Sequence, residues 1–598
     1  MDGVRRACGR VLVPVLAGVT AISLVQGAPA AVAEPEPLPR QPVATGYGGA
    51  VASLDPYASH AGLEVLRRGG NAIDAAVATS AALGVTRPYD GSIGGGGFMV
   101  IYSAKTGKVA TIDGREAAPA AVKPDVFIDP ATGQAIPFAE RRVSGLSIGV
   151  PGVVSTWQRA LSRHGRMPLH NVLKPATDLA RDGFVVDAEY QRRTEQNLDI
   201  LRDFTSSRDT FLVDGQAPRE GTVFRNKELA RTYEILADGG ASAFYTGEIA
   251  EAIAGTVTNP PKVPSTTRNV RSGQMTVDDL KNYRALDKAP TKVDYRGAEV
   301  YGMAPPSSGG MTVGEYLNIV EGFDLKSMPR ARALHHMIEA SALAFGDRNA
   351  YIGDDRFVNV PVTGILSQGF ADERRRLIGP SPAAKPVPAG DPWPYNGGGT
   401  PRQGVNAYSD GSTTHLTTAD KWGNLVAYTF TLEQISGSGI AVPGYGFLLN
   451  NELTDFSTNP NDPANAPAGG KRPRSSMTPT VVLKDGKPLL ATGSPGSAVI
   501  ITSVMQVLAN HLDFGMSLPE AIAAPRLSQQ NAATTTAEAE MINSPEGREL
   551  ASLGHQFSTS STLGNMTGVA FLPDGRLQAA AEPVRLGGGS AVVLRPAE

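Results

Sequence analysis

Residues 411–431 read GSTTHLTTADKWGNLVAYTFT, and the fold around them turns on how this run is read. Alternating residues flank Trp422-Gly423, and Lys421 to Asn424 supplies a turn, which is the pattern of a β-hairpin. If the turn centres on Trp422-Gly423, Thr414 faces Thr431 and Thr413 faces Leu432. A one-residue change of register puts Thr413 opposite Thr431. Either register brings the Thr431 hydroxyl close to the Thr413–Thr414 pair. Taken alone, the hairpin favours ordinary cross-strand threonine packing.

The segment before it changes the balance. From about Pro380 to Ser412 the chain reads PSPAAKPVPAGDPWPYNGGGTPRQGVNAYSDGS, a composition that builds no core and predicts an exposed, mobile loop. A threonine that opens a strand after such a loop becomes a new N-terminus if the Ser412–Thr413 bond breaks. A hydroxyl is a weak nucleophile and needs a base. An N-terminal threonine carries one in its α-amine, whose unperturbed pKa of about 7.7–8.0 leaves it largely neutral near pH 8.

The rest of the chain sets bounds on the chemistry. With 598 residues and 41% hydrophobic composition it can bury a large core. Its net charge is −3 with the two signs interspersed, so no basic block invites nucleic acid. MDGVRRACGRVLVPVLAGVTAISLVQGAPAAVAEPEP has three early arginines, an apolar run and small residues ending Ala-Val-Ala. That predicts a signal peptide over 1–33 and a secreted protein. The run is short of the ~20 residues of a spanning helix, and Arg5-Arg6 fits a twin-arginine signal poorly. Cys8, the only cysteine, lies inside this segment. A mature chain would therefore lack disulfides, thiolate metal sites and a cysteine nucleophile. The eight histidines are scattered, and His335-His336 would point about 100° apart on a helix. No cofactor or metal is expected.

Helical patterns run through ASHAGLEVLRRGGN, closed by Gly69-Gly70, and through the Ala-rich NAIDAAVATSAALGVT, apolar nearly all round and so a buried helix. Residues 152–185, 226–255, 331–349 and 499–513 also read as helical. FMVIYSA, VATIDGRE, GAEVYGM, TPTVVLKDG and PLLATGS read as strands, with two more near 567–572 and 590–595. Hairpins alternating with helices argue for packed α and β layers.

TTHLTTADKWGNLVAYTFT resembles the small-subunit start of γ-glutamyltranspeptidases, N-terminal-nucleophile hydrolases that cut themselves before a threonine. GGNAIDAAVA, GGGGFM, DGREAAP, PLHNVLKPATDLARDGF, DYRGAEVYGMAPPSSGG, LLNNELTDFS, KRPRSSMTPT and TGSPGS are similar to family segments in family order. The resemblance implies an α+β fold, a four-layer αββα sandwich, cut into 34–412 and 413–598 that stay together as one intertwined unit. It implies Thr413 as nucleophile and, with Ser412, as cleavage point, and Thr431 as its supporting hydroxyl. Arg115 would hold a substrate α-carboxylate with Ser475 and Ser476, a pairing that suits a guanidinium. Glu452 and Asp455 would receive the α-ammonium, and backbone N–H groups of Gly496 and Ser497 would form the oxyanion hole. The implied donor is glutathione or a similar γ-glutamyl amide, and the acceptor water or an amino acid.

Two positions depart from the family pattern. Glu433 stands where the family commonly has asparagine, and Ser497 where it has a second glycine. A third acid beside Glu452 and Asp455 should raise at least one carboxyl pKa. Ser497 can still donate its N–H if its backbone angles tolerate a Cβ. These departures keep open a related acylase acting on glutaryl-β-lactams or poly-γ-glutamate. A catalytically silent, uncut binding protein is the alternative of another class. GGGG at 94–97 has no following Lys-Ser/Thr, so it predicts close backbone packing and no phosphate loop. Gly145-Leu-Ser147-Ile-Gly149 matches a nucleophile elbow in letters, but no buried strand precedes it and Pro151 interrupts the helix start.

Overall fold

The computed structural model describes residues 35–404 and 411–597, together with residues 1, 3, 4 and 7–9. The predicted signal segment therefore lies largely outside the described residues, as does the end of the predicted loop, 405–410.

Thirteen strands join in one sheet. They are β1 (Val43–Ser53), β2 (Gly96–Ser103), β3 (Lys108–Gly114), β4 (Leu286–Lys288), β5 (Thr291–Tyr295), β6 (Ala298–Gly302), β7 (Ser412–Asp420), β8 (Leu425–Glu433), β9 (Thr480–Lys484), β10 (Lys487–Gly493), β11 (Thr567–Phe571), β12 (Leu577–Ala581) and β13 (Ser590–Pro596). The order is β4-β3-β2-β8-β7-β1-β12-β11-β10-β9-β6-β5, and β13 also pairs with β1. Strand β1 changes partner along its length, from β12 at Val43–Gly46 to β13 at Gly46–Ser53, with a bulge between Tyr47 and Ala50. Apolar residues of strands on both sides of this point, Val100, Ala427, Val481 and Val569 among them, share one buried cluster.

Helices cover the outer faces. Helix α1 (Pro56–Arg67) and α2 (Ala72–Thr86) pack in a cluster that includes Met99, Ile101, Val426 and Tyr428. Every residue of α2 is buried, as its all-round apolar sequence requires, and Asn71 and Asp74 close a capping box at its start. Helix α3 (Ala188–Gln196) adds Tyr190 to the same cluster. Helices α4 (Gly309–Glu321), α5 (Arg330–Tyr351) and α6 (Val499–Leu512) pack against Val300, Val482, Leu490 and Ala570 in a second cluster. The helical run 152–185 divides into Val153–His164 and Leu169–Asp182, with Gly165 and Pro168 in the break. Among the described residues no helix is long and apolar enough to cross a membrane.

Where it is described, the predicted loop 380–412 is irregular and mostly exposed, but it is anchored to the helices beside it. Trp393 is buried against Met311, Tyr351 and Phe370, and its indole N–H donates to the Thr400 carbonyl at 2.7 Å. The Lys385–Glu339 ion pair and the Gly390 N–H donating to Asp347 fasten the same stretch, whose composition carries no periodic signal.

Candidate active site

The hairpin adopts the second of the two registers. Phe430 pairs with Thr414 and Leu425 with Ala419, and a bulge follows before Glu433 pairs with Ser412. The glycine run beside it permits contact that no side chain would. A Cβ on Gly95 would sit 1.9 Å from the Thr431 carbonyl oxygen, and one on Gly97 would sit 2.3 Å from that of Thr429. β2 can therefore pair with β8 from Leu425 through Thr431.

At the bulge two hydroxyls converge on one carbonyl. Thr413 Oγ1 donates to the Ser412 carbonyl oxygen at 2.7 Å, and Thr431 Oγ1 donates to the same oxygen at 2.5 Å. The two hydroxyl oxygens are 3.3 Å apart, and Thr431 Oγ1 accepts from the Glu433 N–H at 2.8 Å. All four residues are buried. His415, two positions on, is no base for this group. Its ring is fixed between Thr429 and Thr417, and burial pushes its pKa down to about 3. Ser147 is likewise structural, donating to the carbonyls of Arg142 and Ser144.

Two cavities meet at Thr413. One, of about 570 Å³, is lined by Arg115, Thr431, Glu433, Glu452, Asp455, Ser475 and Ser476. The other, of about 680 Å³, lies on the Ser412 side, with Asp90, Arg193 and a wall of serines and threonines. Gly496 lines the second, Ser497 lines both, and α6 begins just after them.

In the first cavity the cation and the acids pair with one another. The Arg115 guanidinium binds Glu452 through Nη1 and Asp455 through Nη2, and donates to the carbonyls of Pro473 and Arg474. Burial opposes its charge, but the carboxylates of Glu452 and Asp455 outweigh burial and hold its pKa above the ordinary arginine value. Ser476 Oγ accepts from Arg348 at 2.8 Å, and Ser475 Oγ accepts the Met477 N–H at 3.2 Å. Glu433 accepts from Gln434, Asn451 and Thr454, yet its carboxyl is pushed well up, first by burial and then by Asp455 and Glu452.

Both departures from the family pattern fall on left-handed backbone. Glu433 has φ +80° and Ser497 φ +55°. They also flank the same residue: a Cβ on Gly411 would lie 3.4 Å from Glu433 Oε1 and 3.5 Å from Ser497 Cβ.

Several residues were not singled out in the sequence. Glu116, the last letter of DGRE, is fully buried 3.9 Å from Arg115, and burial pushes its carboxyl up to about 7. Its adjacency to Arg115 was the available signal. Arg348 is a buried cation near the end of α5, between the buried Asp347 and Asn349. Arg141 lies over the rings of Phe127 and Phe138, and its Nε and Nη1 find no hydrogen-bond partner among the described residues. Tertiary packing also gathers His335, Glu339 and His555, which scattered histidines did not suggest. There Glu339 is paired with Lys385 at 2.6 Å, and His335 bridges His555 and the Gly379 carbonyl.

A sequence profile described as Gamma-glutamyltranspeptidase matches residues 58–592. The chain belongs to the γ-glutamyltranspeptidase family. It is 39% identical over 541 residues to a glutathione hydrolase proenzyme of Bacillus subtilis (strain 168), covering 88% of each chain. It is 34% identical over 578 residues to an acylase ACY 1 proenzyme of Pseudomonas sp. (strain V22), covering 93% of this chain and 98% of that one. Among solved structures, the cephalosporin acylase of Bacillus halodurans superposes with a TM-score of 0.80 at 29% identity, over 95% of this chain and 99% of that chain. Membership of the γ-glutamyltranspeptidase family makes the protein an enzyme of γ-glutamyl transfer or hydrolysis, with a mixed α/β fold of the type its structural relatives share.

Proposed function

We propose that this γ-glutamyltranspeptidase-family chain is a secreted glutathione hydrolase and γ-glutamyltransferase, made as a proenzyme that cuts itself at Ser412–Thr413. The observation that carries the reading is the convergence of the Thr413 and Thr431 hydroxyls on the Ser412 carbonyl. In the cut, Thr413 Oγ bonds to the Ser412 carbonyl carbon, its proton passes to the Thr413 nitrogen, and the C–N bond breaks. Water then opens the resulting ester, leaving a Ser412 carboxylate and a free Thr413 amine and hydroxyl. The products are 34–412 and 413–598, held in one four-layer αββα unit. Two helix-covered clusters and an inter-strand cluster between them support that layering.

In turnover the Thr413 amine takes the hydroxyl proton and Oγ attacks the γ-amide of glutathione or a similar donor. N–H groups of Gly496 and Ser497, at the positive end of the α6 dipole, meet the oxyanion. The γ-glutamyl ester then passes to water or an amino acid. The donor's free end is a zwitterion, so it can exchange pairs with the cluster: its carboxylate takes Arg115, Ser475 and Ser476, and its ammonium takes Glu452 and Asp455. Thr413→Ala is expected to run as one full-length chain on a denaturing gel while the wild type runs as two. A wild type that stays uncut sinks the nucleophile assignment.

Glu433 favours a second reading, an acylase of glutaryl amides, in keeping with the presence of acylases among the relatives. A neutral carboxyl at that position lends no charge to an ammonium. Rates on γ-glutamyl- and glutaryl-p-nitroanilide separate the two. A charge-assisted contact contributes about 1.5–3 kcal/mol, so the γ-glutamyl compound should lead by ~tenfold or more. Equal rates refute the ammonium site.

A further inference from the structure

The residue before the scissile bond is held by its side chain as firmly as by its backbone. Ser412 Oγ donates to the carboxylate of Asp90, in the turn between α2 and β2, and accepts from Arg193 Nη1 of α3 at 3.3 Å. Arg193 Nη1 also pairs with Asp90 at 3.0 Å, and its Nε is anchored on Glu189 at 2.7 Å. All four side chains are buried. Asp90 reaches the other strand too, since its carbonyl accepts the N–H of Leu432, next to Thr431, at 3.3 Å. One residue thus ties the start of β7 to the end of β8 at the bulge.

A bulge is where strand pairing fixes a peptide plane least. Between the Phe430–Thr414 and Glu433–Ser412 pairs the ladder is interrupted, so strand pairing alone leaves the Ser412 carbonyl free to rotate off the two hydroxyls. We propose that Asp90 and Arg193 are positioning residues for self-cleavage, clamping the Ser412 hydroxyl so that its carbonyl stays between Thr413 and Thr431. The proposal rests on the reading that Ser412–Thr413 is the bond cut. Asp90, Arg193 and Glu189 line the cavity on the Ser412 side and not the one that holds Arg115, so they stand apart from the donor's zwitterion. Cleavage turns Ser412 into a carboxylate beside the carboxylates of Asp90 and Glu189, a group whose paired cations are Arg193 and Arg192. The added charge alters the balance of the grip that positioned the Ser412 carbonyl.

The test follows purified precursor into two chains on a denaturing gel. Ser412→Ala removes only the hydroxyl and should slow maturation by about tenfold or more, the scale of misplaced reacting groups. Ser412→Thr keeps a hydroxyl and should recover most of the rate. Asp90→Asn should slow maturation too, and the Asp90→Asn/Ser412→Ala double variant should be no slower than the slower single one, because both remove the same contact. The loss should fall on the maturation rate and not on kcat of the fraction that has matured. Maturation of Ser412→Ala at the wild-type rate, or multiplied effects in the double variant, would overturn the clamp. So would a melting temperature of Ser412→Ala below that of the uncut Thr413→Ala precursor without recovery in Ser412→Thr, which marks a folding role. If Thr413→Ala is itself cut, the self-cleavage reading fails and the clamp with it. If Thr413→Ala stays whole and Ser412→Ala matures normally, only the clamp fails.

Discussion

At the residue scale, Glu433 combines two unfavourable features in one side chain. A left-handed backbone costs an ordinary residue about 1–2 kcal/mol and asparagine less, and Glu433 sits at φ +80°. Its carboxyl is also buried beside two others, which raises its pKa. The sign follows from proton binding. Between the ordinary glutamate value, about 4.3, and the raised one, the folded state holds a proton that the unfolded state has lost. Stability contributed by that proton is complete below the unfolded value and falls as pH rises through the window. Glu433→Asn should therefore stabilise the protein by about 1 kcal/mol from backbone relief at any pH, with a further gain that is small near pH 4.5 and grows toward pH 8. Melting temperatures of both proteins across that range test it, and a pH-independent difference would sink the ionisation argument. The same carboxyl bears on binding: it lends charge to an ammonium only as rising pH ionises it. KM for a γ-glutamyl donor should therefore fall with rising pH more steeply than KM for a glutaryl one.

At the scale of elements, the hairpin and its glycine-lined neighbour form one device. β2 approaches β8 closely enough that a single methyl on Gly95 would strike the Thr431 carbonyl. Gly95→Ala should cost about 1–3 kcal/mol through overpacking, and because Thr431 must move, maturation should slow with it. Gly255 is the matched control. It lies inside the helix Glu248–Thr258, and a Cβ there would meet nothing within 4 Å. Gly255→Ala should stabilise by about 1 kcal/mol and leave maturation alone. Thermal melting and the cleavage time course read both, and equal maturation rates for the two variants would refute the close-approach argument. These features were legible because they are local: alternation around Trp422-Gly423, four consecutive glycines, an apolar α2. The fastening of Trp393 was not, since one buried indole leaves no period. Nor were the partners of Ser412, because Asp90 is 322 positions away and meets it only through the sheet order. The pairing of Arg115 with Glu452 and Asp455 was anticipated as a set of residues, from the family resemblance, but their mutual ion pairing follows from burial, which strips each charge of water and leaves the others as its nearest partners.

At the scale of the whole molecule, the proposed cut divides the chain without dividing the sheet. Strands before the cut and strands after it alternate: β4-β3-β2, then β8-β7, then β1, then β12-β11-β10-β9, then β6-β5. Each change of segment is an antiparallel ladder, as between Gly96–Tyr102 of β2 and Leu425–Thr431 of β8, or Gly49–Ala52 of β1 and Thr417–Asp420 of β7. Separating the products would break all of these ladders and open the apolar cluster that strands of both segments share. Backbone ladders in a buried sheet are not screened by salt, whereas exposed ion pairs are. The two chains of the mature protein should therefore elute together in gel filtration at low and at high ionic strength. They should part only in denaturant, in the same transition that removes the secondary structure seen by circular dichroism. Separation by salt or dilution while that signal persists would mean that the segments fold as independent units, contrary to the interleaved order.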